Sequence, residues 1–439
     1  MQYSYLKASL LGALYVVLVL APLVLMLPGP TPTGRGFWME FGVALGFVGL
    51  AMLALQFLIT GRYRNFAMGF GSDNLLQFHL ATGVVAMTLV LAHPVVIIAA
   101  NTHYVEFLDP RVNFMRSLAL VGATFAVIAV VVTSLWRQKF RLVYEWWRVS
   151  HGALAFIVVF VGLVHTIQVS HFTGVWWKQG IMIAVAGGAM LLLVHTRFIK
   201  PMILKKYPYK VTDVIEERAG GTTLVIEPVD HRGMHFDAGQ FAWITLGDSP
   251  FSLQQHPFSF SSSAEKPKRL QFTAKPAGDF TETWRDIEPG TGAYLEGPYG
   301  AFTQRWDSPK GSVFVAGGVG VTPIMSMLRT LADREDDREF ALFYANKTWD
   351  DVIFREEIEE LEQRLNLEVI HVLEEPPEDW DGEEGFVDED VLERKLQKPY
   401  GDYFYYICGP EPMMNMVEKE LVERGISLPT IMSERFQIV

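Results

Sequence analysis

Long apolar stretches and short alternating ones divide this chain into two halves. Six apolar stretches lie within the first 200 positions, at residues 8–27, 37–59, 74–100, 117–135, 149–168 and 179–198. Each is close to the roughly 20 residues that cross a bilayer as a helix. The pattern therefore predicts a bundle of six transmembrane helices.

Beyond residue 207 the apolar runs are short and separated by turn residues. Evenly spaced short strands up to residue 306 predict a small antiparallel β-barrel. Strand and helix patterns then alternate to the end of the chain, which predicts an α/β domain with a parallel sheet. The expected fold class is a multidomain membrane protein, with a six-helix transmembrane domain at 1–206, a β-barrel at 207–306 and an α/β domain at 307–439.

The charges differ between the two halves. Residues 1–210 contain 16 Lys and Arg against 5 Asp and Glu, whereas residues 211–439 contain 21 against 44. Most basic residues of the first half follow the even-numbered crossings: Arg62, Arg64, Arg137, Lys139, Arg141, Arg197, Lys200, Lys205 and Lys206. The positive-inside rule then places both termini in the cytoplasm of a multi-pass protein in a cell membrane, such as the bacterial inner membrane. Membrane lipid is the expected surrounding, no nucleic-acid partner is expected, and the sequence does not say whether there is a protein partner.

Four histidines repeat one interval inside two of the apolar stretches. His79 and His93 are 14 residues apart, and so are His151 and His165. Fourteen helical residues turn through about 1400°, close to four full turns, so each pair shares a helix face about 21 Å apart along the axis. Imidazole is a usual ligand of electron-carrying haems. The interval therefore predicts two haems, each held by one histidine from each helix.

An alternative is that these four histidines only satisfy hydrogen bonds in the bundle. We favour ligation, because ionisable groups within membrane segments are rare and usually functional. With the orientation above, His79 and His151 would hold the inner haem, and His93 and His165 the outer one. His195 has no partner at this interval and is expected to be structural. His103 and His171 follow the ligand segments and are expected at the interface or beside the electron acceptor.

A glycine-rich turn between a predicted strand and a predicted helix is a candidate nucleotide site. Gly317, Gly318 and Gly320 would let the backbone approach a diphosphate, with Thr322 as N-cap and Pro323 as the first helical residue. The alternative is a tight strand-to-helix connection. Lys347 is a candidate ligand for the 2′-phosphate of NADPH, which we favour slightly over NADH, although a solvated loop lysine is the competing interpretation.

Further motifs follow in the soluble half. They are His256-Pro-Phe-Ser, Gly278-Asp-Phe-Thr, Glu296-Gly-Pro-Tyr-Gly, Cys408-Gly-Pro-Glu-Pro-Met and Ser433-Glu-Arg-Phe. In this order, and with the histidine pairs, they resemble the ferric reductase and NADPH oxidase superfamily. Its members join a haem-bearing membrane bundle to an FAD barrel and a pyridine-nucleotide domain of the ferredoxin–NADP reductase type.

The resemblance implies a role for each motif. Phe258 would pack along the isoalloxazine or ribityl region and Ser259 would hydrogen-bond flavin N5, within a segment that also includes His256, Pro257, Ser261 and Ser262. Gly278, Phe280 and Thr281 would hold the flavin diphosphate. Cys408, Gly409 and Pro410 would lie beside the nicotinamide. Phe436 would cover the flavin until nicotinamide displaces it. However, three residues follow Phe436 here, and a buried strand residue is the alternative.

The expected function is a transmembrane oxidoreductase. A hydride carries two electrons, whereas a haem iron changes by one, so a flavin must lie between them. The expected order is NADPH (or NADH), FAD, two b-type haems and an acceptor on the outer face, either oxygen, which would give superoxide, or a ferric chelate. The single cysteine, Cys408, cannot hold an iron–sulfur cluster. Two alternatives remain open, namely a membrane subunit that passes electrons to a separate protein or quinone, and a nucleotide-sensing receptor.

Overall fold

The computed structural model of the chain describes residues 2–29, 33–63, 72–307, 310–396 and 402–435. The chain divides into two compact units, one made of residues 1–70 and 74–200, the other of 71–73 and 201–439. The first unit is helical. Its long helices are α1 (Gln2–Leu25), α2 (Phe37–Ile59), α3 (Ser72–Ala100), α4 (Phe114–Leu135), α5 (Tyr144–Val169) and α6 (Trp176–Leu204).

Five helices of the described chain, α2 to α6, are long and apolar enough to span a membrane. For these five the prediction from the apolar stretches is confirmed. Helix α1 forms at the expected place, but its described apolar part, Ser9–Leu25, is shorter than a full span. Helix α3 continues through Pro94, and α6 contains two π-helical turns, at Ile183–Gly187 and His195–Ile199.

Glycines on α2 allow α3 to approach closely. A Cβ added at Gly42 would meet Ile97 at 2.8 Å, and one at Gly49 would meet Val90 at 2.7 Å. A Cβ at Gly46 would lie 2.7 Å from the His93 ring. Small residues permit close helix packing where lipid supplies no hydrophobic drive. The His93 imidazole therefore lies directly against the backbone of α2.

The second unit begins with a six-stranded antiparallel sheet. Its strands are β1 (Tyr209–Glu216), β2 (Thr222–Pro228), β3 (Phe241–Leu246), β4 (His256–Ser259), β5 (Leu270–Ala274) and β6 (Gly292–Tyr299), in the order β4-β3-β6-β1-β2-β5. A short helix α7 (Asp279–Glu282) follows β5. Alternate strand residues such as Val211, Leu224 and Phe272 form the core together with Trp284.

A six-stranded parallel sheet follows, as the alternation of strands and helices predicted. Its strands are β7 (Gly311–Gly317), β8 (Glu339–Asn346), β9 (Asn366–Leu373), β10 (Glu383–Glu384), β11 (Phe404–Cys408) and β12 (Ile431–Glu434), in the order β10-β9-β8-β7-β11-β12. The helices are α8 (Val321–Asp333), α9 (Arg355–Arg364), α10 (Glu389–Lys395) and α11 (Glu411–Glu423). Because side chains alternate along a strand, β7 buries Phe314 in one core and Val313 in the other.

Arg329 on α8 ties the two sheets of this unit together. One of its nitrogens, Nη1, donates to the Ser261 carbonyl at 2.5 Å and to Gln271 Oε1 at 2.7 Å. Its Nε and Nη2 donate to the Glu357 carboxylate at 2.7 and 2.5 Å. The side chain is only 13% exposed. One guanidinium thus connects the antiparallel sheet to two helices of the parallel-sheet domain.

Replacing Arg329 with methionine should destabilise this unit by about 2–4 kcal/mol, because Glu357 would be left without its partner and two acceptors would lose their donor. Thermal release of FAD from the full chain would measure the change. The matched control is Lys266→Met, which removes an exposed ion pair with Asp333, and should cost less than about 1 kcal/mol. Equal losses for the two variants would contradict a special role for Arg329.

Candidate functional site

The predicted histidine pairs face each other in the helical unit. The ring centroids of His79 and His151 are 6.2 Å apart, and those of His93 and His165 are 6.3 Å apart. Two metal–nitrogen bonds of about 2 Å and two ring radii of about 1.1 Å add up to about 6.2 Å for imidazoles on opposite sides of one iron. Both separations therefore fit a bis-histidine haem.

The hydrogen bonds of His79 fix which ring nitrogen is free. Thr82 Oγ1 donates to the Phe78 carbonyl at 2.6 Å and therefore accepts from Gln56 Nε2 at 3.0 Å. This orientation of the Gln56 amide points its oxygen at His79 Nδ1, 2.5 Å away. Since an amide oxygen only accepts, Nδ1 carries the proton and Nε2 keeps its lone pair for a metal.

The same tautomer follows for two other ligand candidates. His93 Nδ1 lies 2.8 Å from the Gly42 carbonyl oxygen, which can only accept. Ser134 donates to the Val130 carbonyl at 2.5 Å, so its oxygen accepts from His151 Nδ1 at 3.0 Å. Partners of this kind orient metal-bound histidines and raise their basicity. Three of the four rings are thus held with Nε2 available as a ligand.

A cavity of about 1400 Å³, its open mouth included, surrounds the His93 and His165 pair. Its walls are mainly apolar, but Arg35, Tyr104 and His171 contribute polar groups. Burial and the Arg35 guanidinium lower the pKa of His171, and the Glu40 carboxylate opposes this. Its Nε2 is buried and has no hydrogen-bond partner within the described part of the chain. The cavity can hold a large, mostly apolar group with a polar end.

Of the two further histidines expected at the interface or beside the acceptor, His171 lines this cavity and His103 does not. His103 is exposed and lies 3.2 Å from Glu106. The short helix Thr102–Phe107, which carries His103, places Phe107 with its ring 6.4 Å from that of His165, and Arg116 lies over Phe107 at 4.2 Å.

In the antiparallel sheet, the motif residues assigned to the flavin form an aromatic platform. The ring of His256 is 4.5 Å from that of Phe280, and Phe258 is 6.0 Å from Phe280 and 4.5 Å from Trp284. Phe258 and Phe280 remain half-buried, whereas Ser259 is buried. Partly exposed aromatic rings next to a buried hydroxyl fit a planar ring system with polar edges.

The neighbouring residues have room for a diphosphate. A Cβ at Gly278 would meet nothing within 4 Å, and Thr281 Oγ1 accepts a hydrogen bond from the Ala277 amide at 2.9 Å. Ser261 and Ser262 are also buried, and Ser261 Oγ lies 3.0 Å from Thr273 Oγ1. The structure thus places Phe280, with its neighbour Thr281, beside the segment from His256 to Ser259, and the flavin roles of these residues stay a prediction.

The glycine-rich turn packs against the Cys408 segment at the carboxyl edge of the parallel sheet. Strands β7 and β11 are paired with Ala316 opposite Cys408. A Cβ at Gly317 would meet Pro410 at 2.5 Å, and a Cβ at Gly320 would overlap the Cys408 carbonyl. Ligands of such sheets bind at this edge. Two motifs separated by about 90 residues therefore form one site.

The helix after this turn begins earlier than expected. The turn Gly318–Gly320 continues directly into α8, whose N-cap is Gly320. The prediction that Thr322 is the N-cap and Pro323 the first helical residue is therefore wrong. Thr322 instead donates to the Val319 carbonyl at 3.0 Å. Pro323 lies within the first turn, where its missing donor has no intrahelical acceptor.

Of the remaining predicted residues, Lys347 has an acidic neighbour and Phe436 is not described. Lys347 follows β8, and its Nζ lies 3.3 Å from Glu375 Oε1. Phe436 lies outside the described residues, so its role stays a prediction. The strand before it, β12, pairs with β11 and places Glu434 opposite Cys408.

Several residues of these sites were not predicted from the sequence. Gln56 and Ser134, which orient His79 and His151, lie on other helices and gave no local signal. Gly42, Gly46 and Gly49 could have been recognised as a row of small residues on one helix. Lys275 is a further addition, because its Nζ lies 4.0 Å from the Cβ position of Gly318. Burial lowers the pKa of Lys275, and the Asp351 carboxylate opposes this.

Three family models match the chain in sequence order. They are the ferric reductase like transmembrane component over residues 45–162, the FAD-binding domain over residues 225–303 and the oxidoreductase NAD-binding domain over residues 314–419. This domain order confirms the resemblance inferred from the motifs. Together with the five apolar helices, it indicates a multi-pass membrane protein with oxidoreductase, FAD-binding and NAD-binding domains.

Among curated proteins, the chain is similar to NADH-cytochrome b5 reductase 1 of Lodderomyces elongisporus, with 32% identity over 154 residues. It is also 31% identical over 155 residues to NADH--cytochrome b5 reductase 1 of Arabidopsis thaliana. These matches cover 34% and 35% of this chain, and 47% and 55% of the relatives. The chain thus spans about half the length of the curated relatives it matches. A solved ferredoxin reductase in carbazole 1,9a-dioxygenase is 24% identical, with a TM-score of 0.46, over 52% of this chain and 69% of that one.

Proposed function

Since the chain has the domain architecture of the ferric reductase and NADPH oxidase superfamily, we propose that it is a transmembrane NAD(P)H oxidoreductase. Electrons would pass from NAD(P)H through FAD and two b-type haems to an acceptor on the outer face. The observation that carries this proposal is the spacing of the histidine pairs, 6.2 and 6.3 Å between ring centroids. Histidines that only stabilised the bundle would not be expected to show the same ring separation in both pairs.

The residues of the helical unit would bind and orient the haems. His79 and His151 would hold one haem, and His93 and His165 the other. Gln56, the Gly42 carbonyl and Ser134 keep the Nε2 atoms of three of these rings unprotonated. Since two histidines would hold each iron, a substrate would not bind the iron directly. The acceptor would therefore react at the porphyrin edge.

The residues of the second unit would bind flavin and nucleotide. When bound, FAD takes up an electron pair as hydride and passes electrons on singly. We infer that the antiparallel sheet is the FAD barrel, with Phe258 and Phe280 against the flavin and Ser259 at its polar edge. Gly317, Gly318 and Gly320 would present backbone amides to the nucleotide diphosphate, and the Lys275 ammonium would add a positive charge there.

We infer that both termini and the soluble domains lie in the cytoplasm, from the basic residues that follow the even-numbered crossings. The inner haem would then be the one between His79 and His151. The outer haem would lie in the cavity that Arg35, Tyr104 and His171 line. This rim is polar, with Arg35 paired to Glu40, and would suit a small acceptor such as oxygen or a ferric chelate.

The test uses the detergent-solubilised full chain loaded with FAD and haem. NADH or NADPH is added without oxygen, and flavin and haem absorbance are followed in time. We expect the flavin to bleach first and two haems per chain to be reduced afterwards. Oxygen or ferric citrate is then admitted. Superoxide formation would identify an oxidase, and trapped ferrous iron a metal reductase.

Two results would contradict the proposal. If neither nucleotide reduced the flavin, the chain would not carry its own electron source. If the flavin were reduced but haem were absent from the purified chain, the histidine pairs would not be haem ligands. Haem reduction without any transfer to oxygen or iron would favour the alternative, a subunit that serves a separate protein or quinone.

A further inference from the structure

The ends of three neighbouring strands meet beside the glycine-rich turn. Strands β7 and β8 are parallel, with Gly317 opposite Ala345, and β8 and β9 are parallel, with Asn346 opposite Leu373. In sheets of this type, a dinucleotide whose diphosphate lies at the first turn extends its adenosine ribose toward the end of the next strand. The residues that follow β8 and β9 would therefore surround the 2′ position of this ribose.

Two glutamates are fixed at this place by backbone hydrogen bonds. The Glu374 amide donates to the Asn346 carbonyl at 3.1 Å, and the Glu375 amide donates to the Lys347 carbonyl at 2.8 Å. Glu375 Oε1 also lies 3.3 Å from Lys347 Nζ. Both side chains of this ion pair are more than half exposed, so the attraction itself is weak. Glu375 lies beside Lys347, and the neighbouring Glu374 adds a second negative charge to the same segment.

Two arginines of this neighbourhood are already engaged. Arg355 lies over the Trp349 ring at 4.7 Å and donates to the Trp349 carbonyl at 3.3 Å. Arg218 pairs with Glu356 and lies 3.9 Å from Asp350. Two arginines that could meet a phosphate are thus bound to other groups. The segment after Lys347 also adds the carboxylates of Asp350 and Asp351.

We propose that Glu374 and Glu375 make this reductase selective for NADH over NADPH. Glu375 lies beside Lys347, the residue that would otherwise meet a 2′-phosphate, and the negative charge of this segment repels a dianionic group. A ribose 2′-hydroxyl, in contrast, can donate a hydrogen bond to a carboxylate. This inference rests on the proposed nucleotide site, and it reverses the slight preference for NADPH that Lys347 alone suggested.

The test compares nucleotide binding with nucleotide oxidation in the full FAD-loaded chain. Calorimetry measures the binding of NAD⁺ and NADP⁺, and anaerobic flavin bleaching measures reduction by NADH and NADPH. We expect the unmodified chain to bind NAD⁺ at least about tenfold more tightly than NADP⁺. Glu375→Gln should tighten NADP⁺ binding about five- to tenfold, because it removes one charge and frees Lys347, and should change NAD⁺ binding less than about twofold.

Two further variants test whether the effect of Glu375 depends on the position of its charge and on Lys347. Glu378→Gln removes the same charge from an exposed position of the same acidic loop, and should leave the NAD⁺ to NADP⁺ ratio within about twofold of that of the unmodified chain. Lys347→Met added to Glu375→Gln should abolish the gain for NADP⁺. Unchanged NAD⁺ binding by each variant shows that the site is folded.

Equal affinity of the unmodified chain for both nucleotides would overturn the selectivity proposal and leave the proposed function intact. The same holds if Glu375→Gln and Glu378→Gln changed the ratio equally. Failure of both nucleotides to bind and to bleach the flavin would instead overturn the proposed function, and this inference with it.

Discussion

Replacing His93 with alanine is expected to reduce the haem content of the chain from two to one. The His165 imidazole would then face an open position, and one nitrogen holds b-type haem less tightly than two. Flavin reduction should stay unchanged, whereas electron transfer to an outer acceptor should fall by at least about 100-fold. Pyridine haemochrome assays measure the first effect, and stopped-flow absorbance measures the others.

The matched control is His103→Ala, which removes an exposed histidine and leaves the cavity lining intact. This variant should retain two haems and full transfer. His165→Ala should reproduce the loss seen with His93→Ala. If either ligand variant retained two haems, His93 and His165 would not be the ligands of a haem.

Replacing Gly320 with alanine should abolish reduction of the flavin by nucleotide. The added Cβ would overlap the Cys408 carbonyl, and backbone atoms cannot move aside as a flexible side chain can. The Cys408 to Pro410 segment would shift away from the turn, with a loss of about 1–3 kcal/mol of stability and at least about 100-fold in the rate of hydride transfer. Anaerobic flavin bleaching by NADH measures this rate.

The control is Gly425→Ala, since this glycine has open space around its Cβ position, although its φ is +79° where that of Gly320 is −61°. This variant should lose some stability through backbone strain and keep its rate of flavin reduction. Haem should remain bound in both variants. A normal rate in Gly320→Ala would show that the contact with Cys408 is not needed for nucleotide binding.

The elements of this chain could be predicted because their signals are local and periodic. The apolar stretches gave helices α2 to α6, and the interval of 14 residues gave two facing pairs of histidines. The alternation of strands and helices gave the parallel sheet. Each of these patterns depends on residues close in sequence, whose spacing determines which side they face.

The partners of the site residues could not be predicted in this way. Gln56 is 23 residues from His79, and Ser134 is 17 residues from His151, so only the packed bundle brings them together. The sequence suggested no ion-pair partner for Lys347, whereas in the structure Glu375, which follows β9, lies beside it. The N-cap of α8 was predicted at Thr322 but is Gly320, because the glycine-rich turn itself continues into the helix.

Helices α3 and α5 each carry one member of both histidine pairs, and this arrangement links the filling of the two levels. The first haem to bind would fix the distance between α3 and α5 along their length. The second would then meet imidazoles already at the right separation and lose less conformational freedom on entry. Assembly of the chain should therefore favour molecules with no haem or with both, and half-filled molecules should be scarce.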